Sequence, residues 1–162
     1  MKNPQLCRRS KTPGCTVNVN FFKLSGKKTS YLVDLPGFGY AQRNTEHHQG
    51  FSEKTVQYLA GRDRMILRHV ILLLDARRAL DAGRDLEALH ALHDLAISHH
   101  IVLTKADLVN PADLALSIAN VFIELDKRKM ATCLPFLHVV SAKKTGFGVP
   151  ELRDYVASFL EQ

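Results

Sequence analysis

Tyr31-Leu32-Val33 runs directly into Asp34-Leu35-Pro36-Gly37-Phe38-Gly39-Tyr40, and the chemistry of this junction decides how the chain is read. An apolar run that ends on an acid, with glycine three positions later, suits a nucleotide switch. The carboxylate holds a magnesium ion through water, and the glycine N–H reaches a terminal phosphate because no side chain stands in its way. A D-x-x-G tetrapeptide by itself is also ordinary strand-to-turn punctuation. Three further segments, in the right order along the chain, agree with the switch reading.

Thr104-Lys105-Ala106-Asp107 follows a buried apolar run, the position where open α/β sheets place their ligands. The Asp107 carboxylate can accept two hydrogen bonds from the N1–H and 2-amino group of guanine, a donor pair that adenine lacks. The Lys105 stem can lie along the face of the base. Ser141-Ala142-Lys143 follows another strand pattern and offers a backbone N–H to guanine O6; alone, Lys143 is equally a surface lysine. Its distance behind Asp107 leaves room for one helix and one strand, as a shared base pocket requires. Thr12-Pro13-Gly14-Cys15-Thr16 precedes the first strand pattern. A threonine hydroxyl in such a loop joins magnesium while a triphosphate is bound and lets go after hydrolysis. Pro13 and Gly14 would also set an ordinary turn.

Together these segments resemble the EngB family of ribosome-biogenesis GTPases, within the translation-factor-like P-loop GTPases. The resemblance is carried by Ser10-Lys11-Thr12-Pro13-Gly14-Cys15-Thr16 with Asn20-Phe21-Phe22, and by Asp34 through Tyr40 with Ala41. It continues at Leu74-Asp75-Ala76-Arg77, Thr104-Lys105-Ala106-Asp107 and Ser141-Ala142-Lys143. It implies an α/β fold, the three-layer Ras-like G domain of P-loop GTPases with a mostly parallel sheet, filling residues 1–162 as one domain. The GTP- and GDP-binding residues it implies are Gly14, Cys15, Thr16, Val17 and Asn18, then Asp34, Leu35, Pro36 and Gly37. Thr104, Lys105, Ala106, Asp107, Val140, Ser141, Ala142 and Lys143 complete the set. Mg2+ would be held by Thr16 directly and by Asp34 through water. The implied activity is GTP-dependent assembly of the large ribosomal subunit with slow hydrolysis, and the implied partners are the subunit precursor and its rRNA. Threonine at position 104, where many GTPases carry asparagine, is normal for this family.

Two features depart from the general GTPase pattern. No G-x-x-x-x-G-K-S/T occurs in these residues. In the family that P-loop, with its preceding strand and most of the following helix, lies ahead of where these residues start. The chain therefore reads as a G domain truncated at its N-terminus. Losing three charge-assisted phosphate contacts, at roughly 1.5–3 kcal/mol each, removes about 4–9 kcal/mol of nucleotide binding. The alternative reading is a pseudo-GTPase that acts as a ribosome- or RNA-binding module without nucleotide turnover. The second feature, shared with the family, is Phe38, which stands where many GTPases keep the glutamine that orients the attacking water. Phenylalanine cannot hydrogen-bond water, so no catalytic residue is assigned and enzyme activity of this chain stays open.

The bulk composition narrows the classes further. At 162 residues, 46% hydrophobic and 23% charged, the chain suits one globular domain. No apolar stretch approaches the roughly 20 residues that span a bilayer, and residues 1–4 lack the apolar segment of a secretory signal. Three cysteines, odd in number and without metal-ligand spacing, suit a reduced compartment. The expected compartment is the cytoplasm of a bacterium, or the mitochondrion or plastid of a eukaryote, and the expected state is a monomer. A net charge of +6 suits a polyanionic partner such as RNA as well as it suits a solvated basic surface. The pairs His47-His48 and His99-His100 lack a matching acid or cysteine and read as structural.

Apolar runs alternating with helical patterns predict a mostly parallel sheet. Residues 17–24 and 29–34 read as an antiparallel hairpin, and residues 51–62 as a helix. Residues 69–75 read as a strand buried on both faces, and 100–104 and 136–140 as further strands. Helical spacing runs over 81–98 through Leu86, Leu89, Leu92 and Ala96. Asn110 as N-cap and Pro111 at the first helical position open a helix with Leu114, Ile118, Val121, Phe122 and Leu125 on one face. Pro150 opens the last, with Leu152, Tyr155, Val156, Phe159 and Leu160.

Overall fold

In the computed structural model the alternating pattern resolves into five strands and four α-helices among the described residues, 18–24, 29–37, 48–80, 83–143 and 146–160. The chain divides into two compact units, Met1–Gly61 and Arg62–Gln162. In the first, β1 (Asn20–Leu24) and β2 (Ser30–Asp34) pair antiparallel, with Asn20 opposite Asp34 and Leu24 opposite Ser30. Helix α1 (His48–Ala60) packs there through Tyr58, whose ring meets Phe21 edge-on at 6.1 Å. Leu59 is buried on the same helix.

The second unit contains β3 (Val70–Asp75), α2 (Gly83–Asp94), β4 (His99–Thr104), α3 (Pro111–Lys127), β5 (Cys133–Val139) and α4 (Val149–Ser158). The three strands form one sheet in the order β3-β4-β5, all parallel, as crossover helices between successive strands require. β4 is the middle strand, and His99 through Leu103 are buried without a break. Its neighbours across the sheet differ. The expectation that residues 69–75 are buried on both faces fails at Leu73, which is 62% exposed, while Leu72 and Leu74 on the other face are buried. β3 and β5 are the two edge strands of this sheet among the described residues, and along β3 the period of two puts Leu73 on the face opposite Leu72 and Leu74.

Helix ends follow local chemistry. Asn110 caps α3 as expected, its Oδ1 accepting from the Asp113 N–H at 2.9 Å. The α2 pattern stops short of Ala96, which is exposed and left-handed at φ 51°. The N–H of Ala96 donates to the His93 carbonyl and that of Ile97 to the Leu92 carbonyl, a Schellman closure. Lys129 (φ 51°) closes α3 in the same way, with Lys129 N–H on Asp126 O and Met130 N–H on Leu125 O. Before α4, Gly148 has φ 68°, and a Cβ there would lie 1.9 Å from the Val139 carbonyl oxygen. No other residue fits that turn.

Under α4 the sequence hides a line of imidazoles. His69 Nε2 lies 2.7 Å from His100 Nδ1, and His100 Nε2 lies 3.2 Å from His138 Nδ1. Tyr155 Oη is 3.4 Å from His69 Nε2, and the Phe159 ring stacks on His69 at 5.0 Å. Three neutral rings satisfy this line when each donates from Nδ1 to the next Nε2. An added proton on His100 would make both its nitrogens donors, so His138 would have to switch tautomer and accept at Nδ1. Burial first, then the neighbouring His69, His138 and His99, hold His100 down at about 4.

Two predictions follow from this packing. Ala96→Gly should raise stability by about 0.5–1 kcal/mol, because glycine relieves the left-handed strain but loses more chain entropy; urea unfolding at pH 7.5 measures it. An unfolded histidine binds its proton near 6.5 and the folded His100 near 4. Stability should therefore be whole above about pH 6.5 and fall as pH drops toward 4. Melting temperatures across that range should lose part of this slope in His100→Leu, the rest belonging to His69 and His99, whose pKa values burial also lowers.

Candidate functional site: the strand ends of the parallel sheet

Because β3, β4 and β5 run parallel and in register, with Asp75 opposite Thr104 and Leu103 opposite Val139, their C-terminal ends lie side by side. The residues that leave them are then tied together by main chain. The Ala76 N–H donates to the Thr104 carbonyl at 2.9 Å, the Val140 N–H to Leu103 O at 2.8 Å, and the Ala106 N–H to Val140 O at 3.2 Å. The Thr104 hydroxyl donates to Leu74 O at 2.9 Å. Thr104 is thus a rivet between β4 and β3.

Lys105 turns the chain sharply out of β4 in a left-handed conformation, φ 59°, and a short 3-10 turn, Ala106–Leu108, follows. That turn presents Asp107. The buried Ser141 hydroxyl donates to Asp107 Oδ1 at 2.6 Å, and the Lys143 ammonium pairs with Oδ2 at 3.0 Å. The Ser141 hydrogen bond, then Lys143, lower the Asp107 pKa from the ordinary carboxylate value. The carboxylate is therefore ionised and aimed, with one oxygen on a fixed hydroxyl and the other on an exposed, exchangeable ammonium. Such a group can take a pair of N–H donors in place of the ammonium. Ser141 itself is fixed at its backbone, where its N–H donates to Phe147 O at 2.9 Å.

On the other side of β4, Asp75 is nearly enclosed. Its Oδ1 accepts from Arg77 Nε at 2.9 Å and its Oδ2 from Arg77 Nη2 at 2.6 Å, with Lys105 Nζ on Oδ2 at 2.9 Å. The Arg77 guanidinium, then Lys105, outweigh the opposing effect of burial and hold this carboxyl well below the usual range.

In the first unit, Asp34 ends β2, and its Oδ2 accepts from Asn20 Nδ2 at 3.3 Å. The segment after it is pinned at Pro36, which is buried and whose carbonyl accepts from the buried Thr55 hydroxyl at 3.0 Å. Leu35 and Gly37 flank Pro36, and Asn18 is exposed just ahead of β1. Gly14, Cys15, Thr16 and Val17, together with Phe38, lie outside the described residues. Sequence reasoning missed Thr55 and gave Asp75 and Arg77 no role of their own. An acid followed two residues later by arginine, at the end of a buried strand, was the available signal.

A family model described as 50S ribosome-binding GTPase matches residues 2–105. Across 154 residues the chain is 37% identical to a probable GTP-binding protein EngB from Hyphomonas neptunium, covering 95% of this chain and 68% of that one. The chain belongs to the EngB family of GTP-binding proteins. A second EngB relative, from Bradyrhizobium diazoefficiens, is 40% identical over 158 residues, 97% of this chain and 70% of its own length. Among solved structures, a probable GTP-binding protein engB superposes with TM-score 0.64 at 22% identity, over 95% of this chain and 85% of that one. The elongation factor SelB of Methanococcus maripaludis, in complex with the GTP analogue GPPNHP, gives 0.66 at 23% identity, over 91% and 29%. The shared fold is the α/β G domain of P-loop GTPases.

The Ser141–Asp107 bond yields a prediction within this site. In Ser141→Ala the Asp107 carboxyl loses its strongest donor, so its pKa should rise toward the ordinary aspartate value. Carboxyl 13C shifts followed through acid pH measure this, and an unchanged titration would remove Ser141 from its proposed place beside Asp107.

Proposed function

We propose that this chain is an EngB-type GTP switch that serves assembly of the large ribosomal subunit and reads guanine at the strand ends of its parallel sheet. The observation that supports it most is the Asp107 carboxylate, ionised and held by Ser141 at the C-terminal edge of the sheet. Guanine N1–H and its 2-amino group would displace Lys143 from that carboxylate, the Lys105 stem would cover the base face, and the Ala142 or Lys143 N–H would meet O6. Val140 and Ala106 hold the two loops at hydrogen-bond distance from each other. Thr104 keeps the reading loop fixed to β3 through its hydroxyl.

The phosphate side of the proposal rests on the first unit. Asp34, with Leu35, Pro36 and Gly37 behind it, is the γ-phosphate sensor, and Gly14 to Asn18 are the residues that would meet the triphosphate. Magnesium keeps several waters and needs only one or two protein oxygens beside those of phosphate, so a single carboxylate such as Asp34 suits it. Among the described residues no cluster of three or more His, Cys, Asp or Glu is placed to hold a metal. Asp34 through water, and Thr16 directly, would hold the ion, which when bound neutralises charge on the phosphate oxygens. The partners in this reading are the large-subunit precursor and its rRNA, for which the net charge of +6 is favourable. No helix among the described residues is long and apolar enough to cross a membrane.

Titration calorimetry of this chain with GDP and ADP in the presence of magnesium tests the base reading. Two charge-assisted hydrogen bonds, at roughly 1.5–3 kcal/mol each, predict GDP over ADP by about 10²–10⁴ in affinity. Asp107→Asn should lose that preference and gain xanthosine diphosphate, whose 2-carbonyl accepts from the new amide. Equal binding of GDP and ADP would falsify the reading.

A further inference from the structure

Lys105 carries a cost that its own loop explains only in part. It is a non-glycine residue in the left-handed region, φ 59°, directly after the buried strand β4. Left-handed backbone is disfavoured for any residue with a Cβ, so surrounding contacts must over-determine it. Three hydrogen bonds serve that end. Within the loop the Lys105 carbonyl accepts from the Leu108 N–H at 3.0 Å. The next N–H, that of Ala106, is bonded to Val140 O, and the Lys105 ammonium is bonded to Asp75 Oδ2 at 2.9 Å. The last of these crosses from β4 to β3, thirty residues earlier in the chain.

Asp75 is well suited to hold a cation still. Its side chain is 11% exposed, against 54% for Lys105 and 48% for Arg77. The Arg77 N–H and guanidinium supply three bonds to its two oxygens, the backbone one at 3.1 Å to Oδ1. A carboxylate fixed by a planar fork on one side has little freedom left. The lysine, a flexible four-carbon stem, is the partner that becomes ordered.

We propose that Asp75, itself locked by Arg77, is the positioning residue for Lys105 in nucleotide binding: it anchors the ammonium so that the lysine stem stands ready as the platform for the base. This rests on the guanine-reading assignment of Asp107 and adds a division of labour to it. Asp107 chooses the base, while Asp75 acts through Lys105 and orders a surface that every purine shares. The consequence is specific. Loss of Asp75 weakens purine nucleotides of either kind by the same factor, and the preference for guanine survives.

The test uses the 162-residue chain as wild type, Asp75→Asn, Lys105→Met and the double variant, titrated with GDP and ADP. Asp75→Asn should weaken both nucleotides about two- to fivefold, the scale of a partly exposed ion pair, with their ratio unchanged. In the Lys105→Met background, which keeps the stem and removes the ammonium, Asp75→Asn should cost nothing more. The 15Nζ signal of Lys105 in the nucleotide-free chain gives an independent readout: protected from exchange in the wild type, and averaged with the other lysines in Asp75→Asn. If Asp75→Asn loses the fold, Arg77→Gln loosens the same carboxylate without removing it and carries the same expectations. An Asp75 effect that adds fully to Lys105→Met, an unchanged Lys105 signal, or tighter binding in Asp75→Asn overturns this inference and leaves the Asp107 reading standing. A wild-type chain without guanine preference overturns both.

Discussion

The buried middle strand governs what the rest of the second unit can do. With His99 through Leu103 enclosed, and partners on both edges, β4 has one register available to it. A slip by one residue would turn its apolar side chains to the opposite face and break two ladders at once. Everything chemical at the end of this strand inherits that precision. Thr104, Lys105 and Asp107 come from its exit, Asp75 from the exit of β3, and Ser141 from just past β5. None of them is held in place by a long loop.

The two carboxylates at this edge are built alike and used differently. Each has one well-fixed donor and one exposed lysine: Asp107 has Ser141 and Lys143, and Asp75 has Arg77 and Lys105. The fixed donor in the first case is a neutral hydroxyl, so Asp107 keeps capacity for an incoming pair of N–H groups. In the second it is a guanidinium that occupies both oxygens, and Asp75 has little left to offer a ligand. Burial adds to the contrast, since the Asp75 side chain is the more enclosed of the two, at 11% against 22% exposed.

Much of this was legible in the residues themselves. Element order, the hairpin, the Asn110 cap and the placing of Thr104, Asp107 and Ser141 at strand exits follow from periodicity and cap chemistry, which act over a few residues. What the residues hid depends on contacts between distant segments. Ala96 fitted the helical spacing, yet the Schellman closure on Leu92 and His93 ends the helix ahead of it. Leu73 belonged to an unbroken apolar run, and only the folded chain shows that its face of β3 is exposed. The histidine line joins residues 69, 100 and 138, and the pairing of Asp75 with Lys105 spans thirty positions. No local pattern announces such meetings. Gly14 through Val17 lie outside the described residues, so the first implied nucleotide-binding segment rests on resemblance alone.

Gly148 has a consequence beyond the turn it makes. Its backbone passes so close to the Val139 carbonyl that a single methyl group would collide, and just beside it the Ser141 N–H is bonded to Phe147 O. The excursion between β5 and α4 is thus drawn together at its root, like a purse string. The Gly146 N–H on Lys143 O and the Val149 N–H on Gly146 O tighten the same root. The end of the strand, the base-facing Ser141 and the first turn of α4 are therefore mechanically one piece, and a side chain added at Gly148 would push on all three at once.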